Sequence, residues 1–213
     1  MADSNRKYSQ SLDLKRGKVE MAHGAGGKAM AQLIDELFVR AFDNPALNAQ
    51  NDQASFAIPQ NARRMVMATD SHVISPLFFP GGDIGALSVH GTVNDVVMSG
   101  AKALYLSAGF ILEEGFPLAD LKRIVDSMAA AAVEAGVSIV TGDTKVVEKG
   151  NGDGVFINTT GVGVLPEAIE LSADKVRPGD KILVSGTLGD HGVAIMSLRE
   201  NLTFETTIES DSQ

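Results

Sequence analysis

The chain has 213 residues, room for one generous domain or for one domain and part of a second, and its 44% hydrophobic and 21% charged residues describe a globular protein. Its formal charge of −9 repels phosphate backbones and excludes general nucleic-acid binding, so a polyphosphate ligand must be held by local loops and metal ions. No cysteine is present, which excludes a disulfide scaffold, a thiolate zinc site and a thiol nucleophile. No apolar run approaches the ~20 residues of a membrane span, and the opening MADSNRKYSQ lacks the apolar centre of a signal peptide; a reducing, cytoplasmic setting is expected.

Residues 1–17 are polar and aperiodic and read as a flexible arm. A helix stripe follows at Met30, Leu33, Ile34, Leu37, Phe38 and Ala41, closed by Asn44-Pro45, with a polar loop over 43–63. Arg64–Asp70 reads as a strand and Pro76 to Gly82 as a rigid apolar loop. Ile84 to Met98 reads as a helix with Ile84, Leu87, Gly91 and Met98 on one face, stopped by Gly100. Ala103 to Leu112 is a predicted strand. Pro117 opens a helix carrying Leu121, Ile124, Val125, Met128, Ala132 and Val133 inward, and Gly136 ends it. Val137 to Val147 reads as a strand interrupted by Gly142-Asp143. Val155 to Leu165 reads as its hairpin partner across NGDG. Pro178-Gly179-Asp180 is a turn, Lys181–Val184 a predicted buried strand and Asp190 to Glu200 a short helix. Strands mixed with long helices, without strict β-α-β alternation, indicate an α+β fold.

Five polar clusters carry candidate chemistry. His23-Gly24-Ala25-Gly26-Gly27-Lys28 precedes the first helix, where backbone amides and the helix start attract anions; it reads equally as a flexible lead-in. Thr69-Asp70-Ser71-His72 ends a strand, a position suited to Mg²⁺ or to a plain turn. Asn94 and Asp95 fall inside an otherwise apolar helix, where a carboxylate is costly to bury without a partner. His90, one turn earlier, reads as a packed histidine. Thr141-Gly142-Asp143-Thr144-Lys145 offers a metal carboxylate and a phosphate-neutralising lysine on one side of a strand, or a surface ion pair. Gly186 to Gly192 is either another anion-facing helix start or a glycine turn capped by Asp190. Asp70, Asp95 and Asp143, with Lys145, are expected to converge into a magnesium–triphosphate site.

Together and in this order, HGAGGKAM, ATDSHVISPLFFPGGDIG, HGTVNDVVMSGA, GFILEEGFP, VTGDTKVVEKG, FINTTGVG and LVSGTLGDHG resemble the HypE family of hydrogenase maturation proteins, over roughly residues 18 to 200. Their wording separates the chain from AIR synthase, selenophosphate synthetase and thiamine-monophosphate kinase, which share the fold. The resemblance implies a PurM-like N-terminal domain over 18–166, a mixed sheet with flanking helices that pairs into a barrel across a homodimer. It implies a second α/β domain beginning within 167–213, and ATP in the cleft between the two. Asp70, Asp95 and Asp143 fall on the family's magnesium and phosphate ligands, with Asn94, Thr144 and Lys145 beside them. Gly24, Gly26 and Gly27 resemble the lid over the phosphates.

The implied reaction is an ATP-dependent dehydration. A partner carbamoyltransferase loads a C-terminal cysteine; the amide oxygen is phosphorylated, and loss of phosphate leaves thiocyanate. Its cyanide goes to the Fe(CN)2CO centre of [NiFe]-hydrogenase on iron-scaffold maturation proteins. In this reading Lys145 steadies phosphate charge or acts as a base. The chain departs from the family in having no cysteine and in ending soon after the first strand and helix of the second domain. It therefore reads as an N-terminal portion with little or no dehydration activity alone. Other readings are a different ATP-using enzyme of the same fold, or a non-catalytic module that dimerises and docks partners.

Overall fold

The computed structural model describes residues 8, 10–49, 59–60, 64–165 and 171–212. The apolar stripe of the first helix forms α1 (Lys28–Leu33), which runs through a π-helical turn (Ile34–Val39) into α2 (Arg40–Phe42). That wider turn brings three consecutive residues, Glu36, Leu37 and Phe38, to the buried side. Buried Glu36 is satisfied there, accepting the Leu12 amide at 2.7 Å and the Gln32 side chain at 3.1 Å. The polar stretch over 10–17 is consequently not loose: Leu12 and Leu14 pack against the core. Residues 1–7 and 9 of the expected arm lie outside the described residues, as do 50–58 and 61–63 of the expected polar loop. In the described part of that loop, the short α3 (Pro45–Asn48) starts at Asn44, whose side chain accepts the Leu47 amide.

The strands are β1 (Arg64–His72), the two-residue pair β2 (Phe78–Phe79) and β3 (Gly82–Asp83), β4 (Lys102–Glu113), β5 (Ser138–Val147) and β6 (Val155–Leu165). Between them lie α4 (Ile84–Val97) and α5 (Leu118–Ala135). The main sheet has the order β1-β6-β4-β5, with β6 antiparallel to both neighbours and β4 parallel to β5 across α5. The fold is therefore α+β, a mixed sheet with helices on one face. Alternation in β6 is strict: Val155, Ile157 and Thr159 are buried against the helices, and Asn158 is exposed on the other face. Among the described residues no helix is long and apolar enough to cross a membrane.

The expected β5–β6 hairpin does not form. β5 ends at the same end of the sheet as its parallel neighbour β4, and the loop after it crosses that end to lay β6 on the far side of β4. Glu113 holds the crossing, its carboxylate accepting the Gly150 and Gly154 amides at 2.7 and 3.0 Å. These bonds hold the exposed Glu113 carboxyl below its ordinary pKa. Nor does Gly142 interrupt β5: a Cβ there would lie 2.3 Å from the Ala108 carbonyl oxygen, so glycine lets the two strands close.

α4 is wedged between sheet and α5. Its buried positions are Ile84, Gly85, Ser88, Val89, His90, Thr92, Val93 and Val96, with His90 packed as expected, not the expected Leu87–Gly91–Met98 face, and Met98 is exposed. Glycines set that seam. A Cβ on Gly163 would lie 2.6 Å from Val96 Cγ1, one on Gly161 2.9 Å from Val96 Cγ2, and one on Gly85 2.3 Å from the Ile124 carbonyl oxygen. Asp83 caps the helix through the Gly85 and Ala86 amides. α5 buries its expected stripe and ends at Gly136 in the left-handed conformation, but Val133 is exposed, just outside the buried arc.

Lys181–Val184 is not a strand. It is irregular, with Ile182 and Leu183 over 90% exposed, because among the described residues no strand lies beside it to offer a ladder. α6 (Asp190–Arg199) forms as expected and docks on the β2–β3 pair. Ala194 and Ile195 are buried, Arg199 Nε donates to the Ser75 carbonyl at 2.6 Å, and Ser210 N donates to the Pro80 carbonyl at 2.9 Å.

Candidate nucleotide and metal site

The glycine loop is built at the edge of the sheet. Met21–Gly24 forms a 3-10 turn held by buried His23, whose Nδ1 accepts the Glu20 amide at 2.9 Å. Burial pushes the His23 imidazole below its ordinary pKa, against the pull of Glu20. Gly24 lies against β5, where a Cβ would come within 2.5 Å of the Val146 nitrogen. Gly26 (φ +78°) and Gly27 have open space around them, and Gly27 is the uncapped N-cap of α1. Amides at a helix start with no side chain over them suit an anion.

On β5, Asp143 and Lys145 share a sheet face and form an exposed two-oxygen ion pair at 2.7 and 2.8 Å. Thr144 between them is buried on the opposite, helix-facing side. The structure thus brings Gly24 against the strand bearing Asp143, Thr144 and Lys145, while Gly26 and Gly27 stand open beyond it.

Asp70 and Asp95 gather elsewhere, around His72. Asp70 and His72 are two residues apart on β1 and face α4, with His72 Nε2 3.7 Å from Asp70 Oδ2. A Cβ on Gly91 would lie 3.1 Å from the His72 ring and 3.4 Å from Asp70 Oδ2. Asp95 is one turn further along that face of α4. Burial lowers the His72 pKa, opposed by the negative charge of Asp70 and Asp95. Behind the ring lies a buried hydroxyl cluster. Thr159 Oγ1 donates to the Ser88 carbonyl at 2.8 Å, meets Thr92 Oγ1 at 2.6 Å and lies 3.4 Å from His72 Nε2. Sequence reasoning gave His72, Gly91 and Thr159 no role, although the two-residue spacing of Asp70 and His72 was a visible signal.

Two expectations are corrected. Asn94 and Asp95 are exposed rather than buried within α4, because the helix presents its other sides to the sheet and α5. The three aspartates do not converge within the chain: among the described residues no cluster of three metal-ligating side chains exists. Asp143 faces away from the helices, and β5 is three strand spacings from β1, roughly 14 Å. For Mg²⁺ the fit is therefore to Asp70 and Asp95 alone. These are hard oxygen donors reachable by solvent, to be completed by water and phosphate oxygens, the usual composition of such a site.

A mixed sheet with its helices on one face, an anion-facing glycine loop and acidic strand and helix positions define an AIR-synthase-type N-terminal domain. Residues 50–165 match the family described as AIR synthase related protein, N-terminal domain, and the chain belongs to that family. It is similar to the carbamoyl dehydratase HypE of Cupriavidus necator, 70% identical over 205 residues, covering 96% of this chain and 58% of that protein. Among solved structures it resembles the hydrogenase maturation protein HypE in complex with ATP. There the TM-score is 0.87 and the identity 53%, over 91% of this chain and 57% of that one. It also resembles a HypE–HypF complex, with TM-score 0.68 and 57% identity over 84% of this chain and 57% of that one. The chain thus spans a little under three fifths of the length of these relatives.

Proposed function

We propose that this chain carries the nucleotide-binding and self-pairing part of an ATP-dependent carbamoyl dehydratase of [NiFe]-hydrogenase maturation. The observation that carries the reading is the packing of Gly24 onto the strand of Asp143 and Lys145. It anchors the glycine loop and the uncapped helix start at the sheet edge formed by the lysine's strand. In this reading the loop amides hold phosphate oxygens. Lys145 leaves Asp143 to neutralise the transferred phosphoryl group, and Asp70 and Asp95 orient a hydrated Mg²⁺, with Asn94 and Thr144 as accessory nucleotide contacts. Mg²⁺ would bridge phosphate oxygens and offset their charge. Phosphorylating the amide oxygen of R–S–C(O)NH₂ turns a poor leaving group into a good one. Loss of phosphate and both amide protons gives R–S–C≡N, with ADP and phosphate as the other products.

The cysteine that bears the carbamoyl group is not among these 213 residues. The domain reading is 18–166 for binding and pairing and 167–213 for a linker and the start of a second domain. The uncovered sheet face, which exposes Met65 and Met67 on β1 and Ile111 toward the other end of β4, supports homodimerisation. A carbamoyltransferase and an iron scaffold are the proposed partners, in the cytoplasm. Isothermal titration with Mg-ATP tests the function: Lys145→Ala and Asp95→Ala should each weaken binding at least tenfold. A docking module without nucleotide chemistry would leave the unmodified chain silent.

A further inference from the structure

Beside Asp70 stands a group that the reading above does not use. His72 is buried, while the Asp70 side chain next to it is 45% exposed. The ring's Nε2 lies between two oxygens, 3.4 Å from Thr159 Oγ1 and 3.7 Å from Asp70 Oδ2. The hydroxyls behind the ring decide where its hydrogen sits. Thr159 Oγ1 gives its one proton to the Ser88 carbonyl, so Thr92 is the donor in the 2.6 Å contact between the two threonines. An oxygen whose proton is already committed can only accept, and the Nε2 that faces it must carry the N–H. That assignment holds for the neutral and the charged ring alike. The same N–H faces Asp70. Thr159 Oγ1 already has two partners, so the acceptor with capacity to spare is the carboxylate. Asp70 Oδ1 is held separately, accepting the Ser71 amide at 2.7 Å. One carboxylate oxygen therefore answers to the backbone and the other to the imidazole. Gly91 permits the approach, because a Cβ there would lie 3.1 Å from the His72 ring and 3.4 Å from Asp70 Oδ2.

We infer that His72 is a positioning residue: its Nε2–H, fixed by the Thr92–Thr159–Ser88 chain, holds Asp70 in the orientation that ligates a divalent cation. The inference rests on the reading proposed above, in which Asp70 and Asp95 hold that cation. A cation with few protein ligands keeps most of its water, so its hold on the chain depends on those ligands being in place beforehand. A carboxylate free to turn in solvent must be ordered at the moment of binding, and one already fixed by a buried donor avoids that cost.

The test is titration of the full chain with Mn²⁺, the free ion being read from its electron paramagnetic resonance signal. The double variant Asp70→Asn/Asp95→Asn gives the background of a chain with formal charge −9, and the unmodified chain should bind at least tenfold more tightly. His72→Leu keeps the bulk and removes the donor; it should weaken Mn²⁺ binding at least fivefold. His72→Gln places an amide N–H where Nε2 stood and should return the affinity to within twofold of the unmodified chain. A ring that merely fills space predicts the reverse order, with the apolar leucine the better substitute. Thermal melts report whether each variant is folded. A smaller loss in folded His72→Leu, or no recovery in folded His72→Gln, overturns the role and leaves the cation reading standing. An unmodified chain that binds no more tightly than the double variant overturns both. Long-range ¹H–¹⁵N correlation spectra of the unmodified chain need no variant to fold: His72 should appear with its hydrogen on Nε2, and an Nδ1–H ring overturns the assignment.

Discussion

Thr159→Val removes a single oxygen from the seam between β6 and α4 and keeps the side-chain shape. Thr159 and Thr92 are both fully buried, so water cannot replace what is lost. The Thr92 hydroxyl loses its 2.6 Å partner and the Ser88 carbonyl its 2.8 Å donor. An unsatisfied buried polar group costs ~1–3 kcal/mol. Thr92 falls in the middle of that range. Ser88, inside α4, keeps its helical amide partner and falls at the bottom. The sum is about 2–3 kcal/mol. Thr92→Val/Thr159→Val deletes both hydroxyls, leaves no orphaned one, and should cost less than the two single changes added, by about 1 kcal/mol or more. Urea unfolding followed by far-UV circular dichroism measures all three variants. A single-variant loss below about 0.5 kcal/mol, or strict additivity, would refute the claim that this hydroxyl pair anchors α4.

Gly163→Ala places a methyl against Val96 and 2.8 Å from the Lys102 carbonyl oxygen, a backbone atom that cannot turn away; the expected loss is about 1–3 kcal/mol, read as a lowered thermal midpoint. Burial lowers the His23 pKa, so the unfolded chain binds the extra proton first. Stability is full above about pH 6.5 and falls as pH drops from there toward the folded-state value. His23→Gln should flatten that decline in urea midpoints measured from pH 7.5 to 5, leaving the part His72 contributes in the same direction; an unchanged slope counts against it. Trypsin should cut first at Arg177 or Lys181, beside the exposed run to Leu188, before any site within 64–165; resistance there would contradict the open course of this segment.

The long local patterns were legible. The α5 stripe and its Gly136 stop need only one helix's own periodicity, and Asp143 meets Lys145 by the alternation of one strand. What failed depended on partners distant in sequence. NGDG carries a hairpin composition, yet its course is set by Glu113, 37 and 41 residues away from the two amides it holds. The inward side of α4 is chosen by Gly85, Gly161 and Gly163 together, and without them the phase of its apolar residues was misjudged. Lys181–Val184 has strand-forming residues and, among the described residues, no strand to join. Convergence of Asp143 with Asp70 depends on strand order and facing, and the order β1-β6-β4-β5 sets them apart.

The last strand of the sheet lies in its interior, between β1 and β4. On the ribosome, β1 and α4 therefore emerge well before β6, the strand both of them pack on. The ladder closes only after Leu165 leaves the exit tunnel, and until then α4 can rest on α5 and β1 but not on the strand that joins β1 to the sheet. Synthesis interrupted short of β6 would leave a sticky nascent chain, whereas one carried a few dozen residues further gives β6 the slack to slot home.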